Sequence, residues 1–124
     1  MAALTFDTGA LIALSLGDKR KRAVLVAAQE RRAVIAVPAV LAAEWWRAES
    51  RRSRLILERI DVDPVSERLA KIAGKALAAV PGATAVDAIV MASAAQRRDA
   101  VLTSEIEDLE RLRRHFPDVR LIRA

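Results

Sequence analysis

Carboxylates stand in this chain where a carboxylate is costly. Asp7 directly follows the apolar run Leu4-Thr5-Phe6. Glu44 lies between Leu41 and Ala48, and Asp87 is flanked by Val86, Ile89 and Val90. Glu105 follows Val101-Leu102-Thr103-Ser104, with Asp108 one helical turn further on. A carboxylate beside apolar surface is unfavourable unless something positive binds it. An all-oxygen ligand set suits Mg2+ or Mn2+, not zinc or copper. One or two such ions held by Asp7 and Asp87, with Glu44 and Glu105 or Asp108 joining directly or through water, would activate water and stabilise charge on a phosphate. A carboxylate such as Glu44 could orient or deprotonate that water. Thr8, Thr103 and Ser104 are placed to hydrogen-bond the carboxylates from behind. Each acid also has a plainer reading: Asp7 as a helix cap near Gly9, and Asp87, Glu105 and Asp108 as first-turn charges. Glu44 has the weakest plain reading. Taken together, from four distant segments, a shared site is preferred.

The elements that must bring these segments together are legible as short apolar runs separated by helical patterns. Strands are expected at Leu4–Phe6, Val34–Val37, Val101–Thr103 and Val119–Ile122, with a weaker one at Ile60–Asp63. Leu69, Ile72, Ala73, Ala76, Leu77 and Val80 recur at helical spacing, with Ser66 as N-cap and Pro81-Gly82 as the stop. Further helices are expected over 19–32, 39–50 behind Pro38, 85–98 and 105–115. Strands alternating with helices imply an α/β/α sandwich with a mostly parallel central sheet. Active sites in such sheets lie at the carboxyl ends of the strands, where Asp7 and Glu105 fall.

Composition narrows the function classes. The 124 residues make one domain, 1–124, of which 53% are hydrophobic and 30% charged, so the chain folds rather than remaining disordered. With no cysteine, thiol catalysis and thiolate zinc sites are excluded, and the single His115 excludes any two-histidine metal site. His115 itself reads as a charge near a helix C-terminus. No apolar run approaches a membrane span and the start does not read as a signal peptide, so the expected location is cytoplasmic. The net charge is +5, carried mostly by arginine, which suits a nucleic-acid partner. Basic stretches at 19–32, 47–59 and 111–123 are candidate phosphate contacts around the acidic pocket. Of the adjacent Trp45 and Trp46, one is expected inside and the other at an interface. Two other chemistries fit poorly. Asp7-Thr8-Gly9 also occurs in aspartic proteases, but those are nearly all β. An Asp-nucleophile phosphatase would want a second aspartate at position 9, which is glycine.

Four segments together resemble the motifs of PIN-domain ribonucleases, most closely the VapC-type toxins of bacterial toxin–antitoxin pairs. They are 4–13 (LTFDTGALIA), 37–44 (VPAVLAAE), 86–94 (VDAIVMASA) and 102–109 (LTSEIEDL), in the family's order and spanning nearly the whole chain. The resemblance implies Mg2+- or Mn2+-dependent endoribonuclease activity, a cognate antitoxin covering the acidic site, and a homodimer. Asp7, Glu44 and Asp87 match acidic positions of the family directly. The fourth motif usually carries aspartate where this chain has Glu105, and Asp108 matches a commonly acidic position, so either is a candidate fourth ligand. The departure at Glu105 leaves one alternative within the resemblance, a non-catalytic PIN-like binding module.

Overall fold

The computed structural model describes residues 3–124. β1 (Leu4–Phe6) leads into α1 (Thr8–Ser15) and α2 (Lys19–Glu30), then β2 (Ile35–Pro38), α3 (Ala39–Trp46) and α4 (Arg51–Leu57). β3 (Asp61–Asp63), α5 (Glu67–Ala79), α6 (Ala85–Arg97), β4 (Ala100–Thr103), α7 (Ile106–Leu112) and β5 (Leu121–Arg123) follow. The five strands form one sheet in the order β3-β2-β1-β4-β5, and every pairing is parallel. The expectation of a mostly parallel sheet inside an α/β sandwich therefore holds, with the sheet wholly parallel. All four residues of β2 and of β4 are buried, as continuous apolar strands covered on both faces must be.

The strand order has a mechanical consequence. From β1 the chain winds outward through β2 to β3, then returns to the other side of β1 for β4 and β5. Crossovers leaving in opposite directions open a crevice at the carboxyl ends of β1 and β4. Asp7 and Ser104 are the first residues beyond those two ends. Beneath the crevice the core is tight: Phe6, Val37 and Val101 from the strands meet Leu11, Met91 and Leu109 from the helices, all at most 2% exposed.

Two helix expectations need correction. The helix expected over 39–50 stops four residues early, and a separate helix follows it. α3 ends at Trp46, and Ser50 starts α4 through a capping box with Ser53, whose backbone N–H donates to Ser50 Oγ at 3.1 Å. The last helix starts at Ile106 and ends at Leu112, so Glu105 is its N-cap residue and His115 lies in the turn beyond it. Trp45 is buried and donates to Ser15 Oγ, but Trp46 is half-buried, edge-on to Trp45 at 5.7 Å between ring centroids, and packs against the core. Trp46 is thus partly covered by its own chain, and the rest of its ring lies at the surface.

The two turns that end α2 and α6 are unusual. Arg32 (φ 56°) and Arg98 (φ 59°) both take the left-handed conformation at a helix end, where glycine is the ordinary choice. A non-glycine side chain costs about 1 kcal/mol there. Among the described residues no helix is long and apolar enough to cross a membrane.

Candidate active site

Asp7 is fixed from two sides. Its backbone is extended (φ −83°, ψ 177°), and Oδ1 accepts the Ala10 N–H at 2.9 Å, capping α1. Oδ2 accepts the Thr103 hydroxyl and the Ser104 N–H at 3.3 Å. Thr103 is fully buried, and its Oγ1 in turn accepts the Glu105 N–H at 2.9 Å. One hydroxyl thus ties the exit of β1 to the loop that carries Glu105. The capping reading of Asp7 holds, and the cap leaves lone pairs over, because a carboxylate has about four lone-pair sites.

Asp87 reaches the same place from α6. Thr84 caps that helix, its Oγ1 accepting the Asp87 N–H at 3.1 Å. This holds the half-buried Asp87 in the first turn. Burial raises its carboxyl above the usual range, Thr84 opposes the shift, and the charges of Asp108 and Asp7 add to it. Glu105 is an exposed residue, yet its carboxyl is also raised, first by burial and then by Asp87, Asp7, Asp108 and Glu44. Asp87 and Glu105 therefore feel carboxylates that lie up to 98 residues away in the chain.

One pocket of ≈ 510 Å³ is lined by Asp7, Glu44, Asp87, Glu105 and Asp108 together. Its polar remainder includes Thr8, Thr84 and Thr103, and its apolar wall Ile12, Leu41, Val86, Val90 and Leu109. All five candidate acids meet there, with three adjustments. Glu44 is exposed at the rim and not on the buried flank, because Leu41 and Trp45 form the inward stripe of α3. Of the three supporting side chains, Thr103 holds Asp7 directly and Ser104 does so through its backbone N–H. Thr8 lines the pocket but donates to no carboxylate among the described residues. Among the described residues no lysine or arginine lines the pocket itself.

The donor set fits a hydrated divalent ion. All five acids offer hard oxygen ligands and repel one another, which a cation would relieve. Among the described residues, however, no three of them converge closely enough to grip a bare ion. Mg2+ keeps several waters and is commonly held by only one or two carboxylates. Asp7 and Asp87 could serve in that way, with the other three acting through water.

The sequence matches the PIN domain family over residues 4–114. The chain belongs to the PIN domain family. PIN domains are generally nucleases. Three solved structures share the fold closely. VapBC2 from Rickettsia felis, bound to a promoter DNA fragment, has a TM-score of 0.80 at 14% identity, with 100% of this chain and 99% of that one covered. DNA-bound VapBC from Salmonella typhimurium gives 0.76 at 18% identity over 99% and 98% of the two chains. A toxin–antitoxin complex from Klebsiella pneumoniae gives 0.73 at 21% identity over 94% and 95%. No curated protein sequence matches significantly.

Reading the sequence did not single out Gly9 in this PIN domain. A Cβ built there would run into the Ser104 hydroxyl, so the glycine lets α1 start against the β4 exit. Its place in Asp7-Thr8-Gly9 was visible, but the close approach involves a residue 95 positions away.

Proposed function

We propose that this PIN domain is a Mg2+- or Mn2+-dependent endoribonuclease and the toxin of a toxin–antitoxin pair. The observation that carries the nuclease reading is the convergence of Asp7, Glu44, Asp87, Glu105 and Asp108 on one pocket at the switch point of a parallel sheet. Asp7 and Asp87 are the residues that would hold the cation. The chemistry that a cation supplies when bound is stabilisation of phosphate charge and activation of water. Thr103 and Ser104 fix the Asp7 carboxylate, so its orientation is set before substrate arrives. Glu44 on α3 and Glu105 on the loop after β4 are available to take a proton from the attacking water. The apolar wall keeps water out of one side of the pocket. RNA cleavage in Mn2+ by the parent protein, absent in Asp7→Asn, is the expected result. Equal cleavage by both would overturn the proposal.

A second feature supports an antitoxin partner. α1, α2 and α4 enclose a groove of ≈ 370 Å³ lined by Leu14, Leu25, Val26 and Leu55 and flanked by Lys19, Arg22, Arg52 and Arg59. Leu55 is 50% exposed, and Leu16 close by in sequence is 79% exposed. Apolar surface rimmed by cations fits an amphipathic segment with an acidic flank. The structural neighbours named as VapBC or toxin–antitoxin complexes point the same way. A homodimer is part of the proposal on the family resemblance alone, and light scattering tests it.

A further inference from the structure

The opposite end of the sheet, at the amino ends of β1, β2 and β4, carries a second cleft, of ≈ 760 Å³. Its floor is aliphatic, with Leu4, Val24 and Ile35 among its lining residues. Three exposed guanidinium side chains, Arg31, Arg98 and Arg120, line it, and none of them is in an ion pair among the described residues. Two carboxylates face them, Asp118 and the 4%-exposed Asp99. Asp99 Oδ2 accepts from Thr5 Oγ1 at 3.0 Å and Arg97 Nε at 3.2 Å. Its Oδ1 is closed off from solvent and has no hydrogen-bond partner among the described residues. That oxygen is sealed within the wall, so the groups offered to a ligand are the three guanidiniums and the exposed Asp118. A second observation is independent of the first: the backbone is held left-handed at Arg98, which lines this cleft, and at Arg32, next to Arg31. Strain retained at a non-glycine residue marks a position whose side chain is needed.

We infer that this cleft binds a nucleoside phosphate. Guanidinium groups take phosphate oxygens in bidentate pairs. The aliphatic floor takes a base face, and the exposed Asp118 supplies the acceptor for a base N–H. A simple anion would leave the aliphatic floor and Asp118 unanswered, and an apolar ligand would leave all three arginines so. The volume lies within the range of small-ligand pockets. The source of the phosphate is either a free nucleotide or one unit of an RNA strand. The inference does not depend on cleavage at the acidic pocket.

The test is binding of 5′-mononucleotides and of a short single-stranded RNA to the full chain in EDTA, where the carboxylate pocket repels phosphate. Amide chemical shifts locate the ligand. The expected result is shifts at Val34, Arg98 and Ala100, with Asp7 and Glu105 unmoved. Arg98→Gly combined with Arg120→Ala should weaken binding about tenfold or more. Arg98→Gly alone should at the same time raise the melting temperature, since glycine suits the left-handed turn. Binding of the RNA but not the mononucleotides would assign the cleft to the substrate strand, and binding of both would assign it to nucleotides generally. No binding of either ligand overturns the inference. So does unaltered binding by the folded variants, or an acidic peptide that takes the cleft in preference to nucleotides.

Discussion

The two ends of the sheet answer the same electrostatic problem in opposite ways. At the amino end, buried Asp99 is met from within the chain by Arg97 and Thr5. At the carboxyl end, Asp87 and Glu105 face further carboxylates and no cation lines the pocket. Both ends raise carboxyl pKa values through burial, yet only one supplies a cation to offset it. The difference teaches that a raised carboxyl alone does not mark a site. What marks it is repulsion left standing, because a chain that could have placed an arginine there has used arginine freely elsewhere.

The comparison breaks most sharply at Arg97. Replacing it with methionine leaves Asp99 buried and unpaired, with an expected loss of about 3 kcal/mol at neutral pH. Urea unfolding at pH 7 and pH 4 checks this, and the loss should shrink at pH 4 as Asp99 takes up a proton. A loss equal at both pH values would mean that Arg97 acts by packing alone.

At the other end the sign reverses. Folded-state pKa values of Asp87 and Glu105 lie above their ordinary 3.8 and 4.5, so the folded state binds more protons than the unfolded. These groups therefore lower stability as pH rises through that region, and the deficit is absent below it. Without metal, Asp87→Asn should raise the melting temperature at pH 7 by a few degrees and change little near pH 3. Millimolar Mg2+ or Mn2+ should stabilise the parent, and Asp87→Asn should lose much of that gain. A parent curve unmoved by either ion would remove the shared-site argument.

Smaller effects separate the fourth-motif acids. Glu105→Ala should reduce RNA cleavage less than Asp7→Ala does, and Glu105→Asp should keep or raise activity. Asp108→Ala should fall between if it shares the ion, and should leave rates unchanged if it only favours the start of α7. Full activity in Glu105→Ala with none in Asp108→Ala would exchange their roles. Gly9→Ala should lower activity modestly, because Ser104 must yield to the new methyl and Ser104 N–H holds Asp7. Ser104→Ala in the same chain should restore part of it.

The carboxyl end was far more legible in the sequence than the amino end. Asp7 and Asp87 stand out because each interrupts or abuts an apolar run, and the strand runs themselves are close to the observed β1, β2 and β4. Glu44 was placed in the right pocket for the wrong reason: flanking apolar residues do not reveal helical phase, and the inward stripe is Leu41 and Trp45. The break between α3 and α4 is signalled only by Ser50 and Ser53, without glycine or proline. At the amino end, the turns carry Arg32 and Arg98 where glycine would have announced them. Asp99 reads as an ordinary residue between helix and strand, since its partner Thr5 lies 94 positions away.

That span is matched at the other end by Thr103 and Asp7, which are 96 residues apart. The hydroxyl that orients the first carboxylate is thus among the last parts of the chain to be made. During synthesis, α1 and β2 can emerge and pack long before β4 exists to pair with β1. Long-range pairing of this kind closes late and slowly. The acidic pocket therefore has no partially assembled form: a nascent chain lacking its final quarter carries Asp7, Glu44 and even Asp87 with nothing to fix their geometry. The geometry around Asp7 is thus complete only once β4 has been made and has paired with β1.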